Sequence, residues 1–246
     1  KSYLSIESPK KRTKSLYWDK KYIDGMRIPI GTDNFGRLVV WDLDNNSTPH
    51  ALICGATGSG KSVCIISTIE YARLAGIRDI VIFDPKYEFC NYSSEKYIKV
   101  YNDIEEIEAK MKELVQDMQE RAKSRASWKT LVVFDEFAFG FLEPKMELRT
   151  VGREKSLEEN LKMLLQKGRS LGFRIMAATQ RASVNVITGD AKVNFPVQIC
   201  FRVPKEIDSK VVLDEPGAET LGGMGDGLMK SPENLGIVRF QGFYKK

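Results

Sequence analysis

The sequence predicts an α/β domain whose mainly parallel sheet is covered by helices on both faces. From residue 51 to about residue 202, short apolar runs alternate with longer amphipathic runs. Strands that alternate with helices in this way build parallel sheets, which are buried on both faces. A glycine-rich segment at residues 55–60 also lies between the first apolar run and the first amphipathic run. This is the order of a strand, a phosphate-binding loop and a helix.

Each predicted element follows from the period of its apolar residues. Continuous apolar runs predict buried strands, and these are Ala51–Cys54, Ile80–Phe83, Leu131–Phe134, Ile175–Ala178 and Val197–Phe201. Runs with helical period predict helices, and these are Lys61–Leu74, Ile104–Arg125, Ser156–Leu171 and Ile207–Leu213. Two short strands, Arg27–Ile30 and Leu38–Trp41, flank a turn and predict a small β-hairpin ahead of the sheet. Near the end of the chain, Ile237–Phe240 predicts an edge strand.

The charge of the chain is small and unevenly placed. Its 246 residues contain 38 Lys and Arg against 33 Asp and Glu, a net charge of +5. Residues 1–25 hold seven basic and three acidic residues, so +4 of the total lies there. We therefore predict a basic N-terminal arm or linker over residues 1–25 and one domain over residues 26–246. The nearly neutral domain excludes a globally basic mode of nucleic-acid binding.

The cysteines and the apolar content bear on location. Four cysteines lie far apart without a CxxC pair, and His50 is the single histidine. This spacing predicts neither a zinc site nor a disulfide framework, and it favours reduced, mostly buried thiols. No apolar stretch reaches the roughly 18 residues that span a bilayer. We expect a cytoplasmic domain, and a membrane anchor elsewhere in a longer protein stays open.

The most informative segment is a phosphate-binding loop. It reads G-x-x-x-x-G-K-S between an apolar strand and a helix. Its N–H groups are expected to wrap the β-phosphate, while Lys61 bridges the β- and γ-phosphates and the Ser62 hydroxyl ligates Mg²⁺. No guanine-reading NKxD element is found, so ATP is the expected nucleotide. The predicted nucleotide-binding residues are Gly55, Ala56, Thr57, Gly58, Ser59, Gly60, Lys61, Ser62 and Val63.

Polar side chains end two further strands. Asp135 and Glu136 follow the apolar run that ends at Phe134. Asp135 is expected to hold Mg²⁺ through water, and Glu136 to polarise the attacking water as general base. Thr179 and Gln180 end another strand, where either could sense the γ-phosphate or orient the water. The presence of Glu136 favours hydrolysis over nucleotide binding alone.

Together these motifs resemble the motor domain of the FtsK/SpoIIIE DNA translocases, within the FtsK–HerA superfamily. The resemblance covers about Ile28–Tyr244 in the family's order, and it is carried by Pro49–Val63, Asp84–Lys86, Val133–Ala138, Ala178–Arg181, Val186–Gly189, Ile207–Ser209 and Gly223–Asp226. It implies a RecA-like P-loop NTPase fold. It also implies an ATPase that forms a ring, usually a hexamer, and threads double-stranded DNA through its central channel.

The resemblance also implies roles for basic residues. In such rings ATP lies between subunits, and Arg169 matches the arginine that completes a neighbour's site. Arg181, Lys205 and Lys210 fall where the family presents basic residues to DNA phosphates. The match at Lys205 is displaced by one position, because Glu206 stands where the family has lysine.

Two departures from the family pattern bear on function. An extra segment, Phe139–Glu154, follows the acidic pair, and the chain ends at Lys246 without a winged-helix module. These departures favour a motor of a conjugative or mobile element over a chromosomal one. The segment Gly222–Gly227 is interpreted either as a second channel loop or as a turn between edge strands. A protein-secretion ATPase of the type VII kind and a non-motor ATP-binding assembly module stay open as alternatives.

Overall fold

The described residues form one sheet with helices on both of its faces. The computed structural model describes residues 16–126, 128–136, 157–180, 182–183 and 189–244. Its strands are β1 (Arg27–Asp33), β2 (Leu38–Asp42), β3 (His50–Cys54), β4 (Ile80–Phe83), β5 (Ile98–Tyr101), β6 (Thr130–Phe134), β7 (Phe173–Thr179), β8 (Val197–Phe201), β9 (Asp226–Lys230) and β10 (Val238–Gly242). Its helices are α1 (Lys61–Leu74), α2 (Ile104–Ser124), α3 (Leu157–Lys167), α4 (Gly189–Asn194) and α5 (Glu206–Leu213).

The sheet has a parallel part and an antiparallel part. Its strand order is β2-β1-β10-β9-β8-β3-β7-β6-β4-β5. Neighbours from β8 to β5 run parallel, and neighbours from β2 to β8 run antiparallel. The predicted α/β fold with a mainly parallel sheet is confirmed. Because the parallel strands share one carboxyl edge, the residues that follow β3, β4, β6 and β7 meet there.

The antiparallel part corrects one prediction. Ile237–Phe240 predicted an edge strand, but β10 lies between β1 and β9. The unpredicted strand β9 pairs with β8 and brings β10 inward against β1. The approach is close, since a Cβ on Gly31 would lie 2.1 Å from the carbonyl oxygen of Gln241. The predicted hairpin of β1 and β2 forms, but as the outer part of the main sheet.

The two faces of the sheet carry separate cores. On β3, Leu52 and Cys54 pack into the core beneath α2 and α3. The alternate residues Ala51 and Ile53 pack into the core beneath α1. This alternation follows from the two-residue period of a strand, and it confirms the predicted helices on both faces. Three of the four cysteines are buried, and Cys90 is exposed.

The helices α1, α2 and α5 begin and end within one residue of their predicted bounds, α4 was not predicted, and α3 is shorter than predicted. The prediction continued this helix to Leu171, but it ends at Lys167. Gly168 follows, and a Cβ there would lie 2.4 Å from the carbonyl oxygen of Leu164. A tight turn built on this glycine therefore leads into β7. Ser156, the predicted first residue, lies outside the described residues, as does the extra segment Phe139–Glu154.

The N-terminal residues 16–25 pack against the domain. The Trp18 ring lies 4.8 Å from the Tyr71 ring of α1, measured between centroids, and the backbone N–H of Trp18 donates to the Tyr244 carbonyl. A separate basic arm therefore stays a prediction for residues 1–15, which lie outside the described residues. In the part of the chain that the structure describes, no helix is both long and apolar enough to cross a bilayer.

Candidate functional site

The phosphate-binding loop joins β3 to α1 at the carboxyl edge of the parallel strands. Gly58 and Gly60 have φ angles of 74° and 116°, which glycine adopts at little cost. A Cβ on Gly60 would lie 2.6 Å from the backbone nitrogen of Gly225. Among the described residues, no side chain caps the N-terminus of α1. Uncapped N–H groups at a helix N-terminus attract anions such as phosphate.

A buried ion pair joins this loop to the end of β6. The Lys61 Nζ lies 2.8 Å from Asp135 Oδ1, and the two side chains are 4% and 0% exposed. Burial raises the pKa of Asp135, and the neighbouring Lys61 charge opposes that rise only in part. The second oxygen, Oδ2 of Asp135, is buried without a hydrogen-bond partner in the described part of the chain. One carboxylate oxygen is thus left to interact with a ligand.

The Ser62 hydroxyl donates a hydrogen bond to a carboxylate that was not predicted to belong to the site. Ser62 Oγ donates to Glu88 Oε2 at 2.9 Å. Glu88 follows β4 in a turn held by the buried Asp84, whose carboxylate accepts the N–H groups of Glu88 and Phe89 at 3.0 and 2.8 Å. The turn therefore fixes Glu88 beside the loop.

Glu136 forms a second ion pair, with Lys86. Lys86 Nζ lies 2.7 Å from Glu136 Oε2, and Thr179 Oγ1 donates to Oε1 at 2.8 Å. Burial alone would raise the pKa of Glu136, but the hydrogen bonds from Lys86 and Thr179 outweigh it, and the pKa is lowered. Glu136 also has a φ of 61°, a left-handed conformation that costs energy in a non-glycine residue and clusters at functional sites. The predicted general base is therefore held as a carboxylate.

The end of β7 links Glu136 to the phosphate-binding loop. The Gln180 N–H faces both oxygens of Glu136 at 3.4 Å. The Gln180 side-chain oxygen accepts the Thr57 hydroxyl at 3.3 Å. Of the two residues predicted for this strand end, Thr179 thus contacts the predicted base and Gln180 contacts both the base and the loop.

A cleft opens beside the phosphate-binding loop. It has a volume of about 400 Å³ and is lined by Ala56–Ser59, Arg202–Pro204 and Gly222–Met224. The glycine-rich segment reaches the loop directly, since the Gly225 N–H donates to the Ser59 carbonyl at 2.8 Å. Both interpretations of Gly222–Gly227 from sequence missed this contact. The segment leads into β9 and forms one wall of the cleft.

These features fit a nucleoside triphosphate with Mg²⁺. The left-handed glycines, the uncapped helix and Lys61 suit phosphate, and the unpartnered oxygen of Asp135 suits a cation. No group of three or more His, Cys, Asp or Glu side chains that could hold a metal is found among the described residues. Mg²⁺ commonly binds through one or two protein groups together with substrate phosphates. Ser62 and Asp135 would therefore hold it jointly with the nucleotide.

Arg169 lies near the amino end of β7, at the edge of the sheet opposite to the phosphate-binding loop. It is exposed and follows α3 in a short turn that precedes β7, and its carbonyl accepts a hydrogen bond from Arg174. Thr179, at the other end of β7, lies at the carboxyl edge of the parallel strands beside the phosphate-binding loop, which we call the phosphate edge. Six residue steps at about 3.3 Å separate the ends of this strand, roughly 20 Å. Arg169 therefore cannot reach the phosphates of its own subunit.

The predicted DNA-binding lysines are exposed at the two ends of α5, Lys205 just before its first residue and Lys210 in its last turn. Lys205 caps this helix through its backbone, whose N–H donates to Asp208 Oδ2, and it follows Pro204, a residue of the cleft wall. Lys210 forms an ion pair with Glu206. Arg181 lies outside the described residues. The DNA-binding roles of all three residues stay predictions.

Two charged residues of the site, Lys86 and Glu88, were not predicted from sequence. Asp84-Pro85-Lys86 contributed to the family resemblance, but no role was given to its lysine. A partial signal was present, because these residues follow an apolar run. The sequence does not show that β4 lies next to β6 in the sheet. Only the strand order shows that the residues after β4 face Asp135 and Glu136.

Comparison with known proteins gives the family. The FtsK/SpoIIIE family matches residues 10–138, just over half of the chain. The chain is 34% identical to the DNA translocase FtsK of Leptospira interrogans over 89% of its length, and 33% identical to that of Chlamydia pneumoniae over 82%. It spans only 25% and 28% of these two relatives.

Solved structures show the same fold. The conjugation coupling protein TcpA of pCW3, solved with ATPγS, superposes with a TM-score of 0.81 and 28% identity, covering 95% of this chain and 71% of that one. The type VII secretion ATPase EccC of Thermomonospora curvata superposes with a TM-score of 0.70 over 93% of this chain and 30% of that one, and its 22% identity shows the fold alone. The fold is thus that of the P-loop NTPases, and the chain belongs to the FtsK/SpoIIIE family.

Proposed function

We propose that this chain is the motor domain of an ATP-hydrolysing ring, usually a hexamer, that moves double-stranded DNA through a central channel. The observation that carries the proposal is the assembly of Lys61, Ser62, Asp135 and Glu136 at one edge of the sheet, with Arg169 at the other edge. One subunit thus holds most of an ATP site and offers the missing arginine to a neighbour. The similarity to DNA translocases and to a conjugation coupling protein supports DNA as the substrate.

Each residue has a chemical task in this proposal. Lys61, which pairs with Asp135 in this structure, would bind the β- and γ-phosphates of ATP, and Ser62 and Asp135 would hold Mg²⁺. When bound, Mg²⁺ neutralises charge on the phosphate oxygens. Glu136 accepts the proton of the attacking water. Arg169 of a neighbouring subunit stabilises the charge that develops on the transferred phosphoryl group.

Stimulation by DNA tests the proposed substrate. Saturating duplex DNA should raise ATP turnover in a preparation shown by electron microscopy to contain rings. The Glu136→Gln variant, which retains the binding groups, serves as the control for contaminating ATPases. Unchanged turnover in wild-type rings would contradict a DNA motor and favour the protein-secretion alternative.

Mixed rings test the role of Arg169. Arg169→Ala and Glu136→Gln should each have little turnover alone, because loss of an arginine of this kind costs about 10³ to 10⁵ in turnover and loss of a general base about 10² to 10⁴. An equal mixture should recover up to about a quarter of wild-type turnover, since a site then needs Glu136 from one subunit and Arg169 from the next. A mixture of Lys61→Met and Glu136→Gln is the matched control, because no pairing of these subunits rebuilds a site. Equal recovery in both mixtures would contradict the proposed neighbour contact.

The salt dependence of DNA binding tests Lys210. Replacing it by alanine should weaken binding to all duplex sequences and reduce the slope of log affinity against log salt by about one. Lys99→Ala on β5, the edge strand at the far end of the sheet, is the control. An unchanged slope in Lys210→Ala would exclude a phosphate contact by this lysine.

A further inference from the structure

The Ser62 hydroxyl has a proton that can be donated in a hydrogen bond. A serine oxygen that ligates a metal uses a lone pair and keeps its proton, and this proton needs an acceptor. The structure gives the acceptor as Glu88, whose Oε2 lies 2.9 Å from Ser62 Oγ. With its proton directed at Glu88, the Ser62 hydroxyl has its lone pairs available to a cation.

The neighbouring carboxylate, Asp135, does not accept the hydrogen bond of the Ser62 hydroxyl. Asp135 Oδ1 accepts from Lys61 at 2.8 Å. Asp135 Oδ2 is buried and has no partner among the described residues. Asp135 is thus available to the cation side of the site, while Glu88 serves the hydroxyl.

The turn after β4 holds Glu88 in place. Asp84 is fully buried, and its two oxygens accept the N–H groups of residues 88 and 89. Asn102 donates to the Asp84 carbonyl at 2.7 Å. The Asp135 N–H donates to the Phe83 carbonyl, so the turn is tied to the strand end that carries the predicted metal ligand.

We propose that Glu88 is a positioning residue for Mg²⁺: its carboxylate accepts the hydrogen bond that the Ser62 hydroxyl donates, and this orients the serine oxygen toward the metal. The proposal rests on the proposed binding of ATP with Mg²⁺. Partners that orient a metal ligand typically contribute 10- to 100-fold to metal affinity. Because Glu88 is itself exposed, its replacement leaves the core intact.

The test is the equilibrium affinity for ATPγS, measured once with Mg²⁺ and once with EDTA. The ratio of the two affinities reports the contribution of the metal independently of turnover. Glu88→Ala should reduce this ratio about 10- to 100-fold, without weakening the affinity in EDTA. Glu88→Gln retains an acceptor oxygen and should recover part of the ratio. Glu95→Ala is the matched control, because Glu95 is also exposed and pairs with Arg73 instead, at 3.7 Å.

A double variant separates positioning from general electrostatics. If Glu88 acts through the hydroxyl, Glu88→Ala should have no further effect on the ratio in a Ser62→Ala background. A further loss in that background would overturn the proposal, as would a wild-type ratio in Glu88→Ala alone. Failure of the wild-type protein to bind ATPγS under either condition would overturn the proposed ATP function as well, so the two failures are distinguishable.

Discussion

Two lysine–carboxylate pairs lie side by side at the phosphate edge, and they differ mainly in burial. Lys61–Asp135 measures 2.8 Å with side chains 4% and 0% exposed, and Lys86–Glu136 measures 2.7 Å with side chains 29% and 9% exposed. The lysines come from different segments, Lys61 from the start of α1 and Lys86 from the turn after β4, but the acids are consecutive in sequence. Equal distances therefore do not imply equal roles.

The backbone directs the two acids to different partners. The Asp135 N–H still bonds to β4, as if β6 continued, and its carboxylate meets the lysine of the phosphate-binding loop. Glu136 turns into the left-handed region and reaches Thr179 and Lys86. Burial raises the pKa of Asp135, whereas hydrogen bonds overcome burial and lower that of Glu136. One pair thus balances a buried charge, and the other favours the ionised form of the proposed base.

The largest expected effect comes from breaking the buried pair. Lys61→Met should abolish ATPγS binding, and it should lower the free energy of unfolding by about 3 kcal/mol at pH 7, because Asp135 is left buried without its cation. Urea unfolding and equilibrium binding measure the two effects. An acid whose pKa is raised by folding destabilises the protein as pH rises through that pKa. The loss in Lys61→Met should therefore diminish at lower pH.

A second substitution isolates the charge. Lys61→Met/Asp135→Asn removes both charges, so most of the lost stability should return while nucleotide binding stays absent. Equal stability of the single and double variants would show that Asp135 does not carry the cost.

The next largest effect concerns turnover. Glu136→Gln should bind ATPγS as the wild-type protein does, because the hydrogen-bond partners of Glu136 among the described residues are Lys86, Thr179 and Gln180 and do not include the phosphate-binding loop. Its ATP turnover should fall about 10² to 10⁴-fold, the usual contribution of a general base. Single-turnover hydrolysis and equilibrium binding measure the two quantities. Wild-type turnover in this variant would remove Glu136 from the chemistry.

Sequence alone predicted the parts of the site that local patterns encode. The loop from Gly55 to Ser62 and the acids Asp135 and Glu136 follow apolar runs directly, so their place at a strand end could be inferred from spacing. The strands β4 and β8 and the helix α1 have the predicted bounds for the same reason. Each depends on contacts close in sequence or on a continuous apolar run.

The parts that depend on strand order could not be predicted in this way. Lys86 and Glu88 belong to the site because β4 lies beside β6, which no periodicity shows. The strand β5 was not predicted. Only its first residue, Ile98, is buried, and it lacks the continuous apolar run that predicts a buried strand. The glycines before β9 suggested a loop, but Gly225 packs against the phosphate-binding loop, a contact between segments far apart in sequence.

A smaller effect is expected from Lys86–Glu136, the less buried of the two pairs. Lys86→Met removes a hydrogen bond and a charge that lower the pKa of Glu136, so this pKa should rise. The base must be ionised to accept a proton, and the acidic limb of the kcat profile should therefore move to higher pH. Turnover at pH 8 should change far less than in Glu136→Gln. Lys96→Met, an exposed lysine away from the site, is the control, and an unmoved limb in Lys86→Met would show that this pair does not tune the base.

The smallest effect is expected from Thr179, which donates a hydrogen bond to Glu136. Thr179→Val keeps the shape of the fully buried side chain and removes the hydroxyl that donates to Oε1 at 2.8 Å. Its loss should move the acidic limb in the same direction as Lys86→Met, because both groups favour the carboxylate. The shift should be smaller, since valine leaves the lysine charge and the Gln180 N–H in place. A larger shift than in Lys86→Met would mean that the hydrogen bond from β7, and not the ion pair, keeps the base ionised.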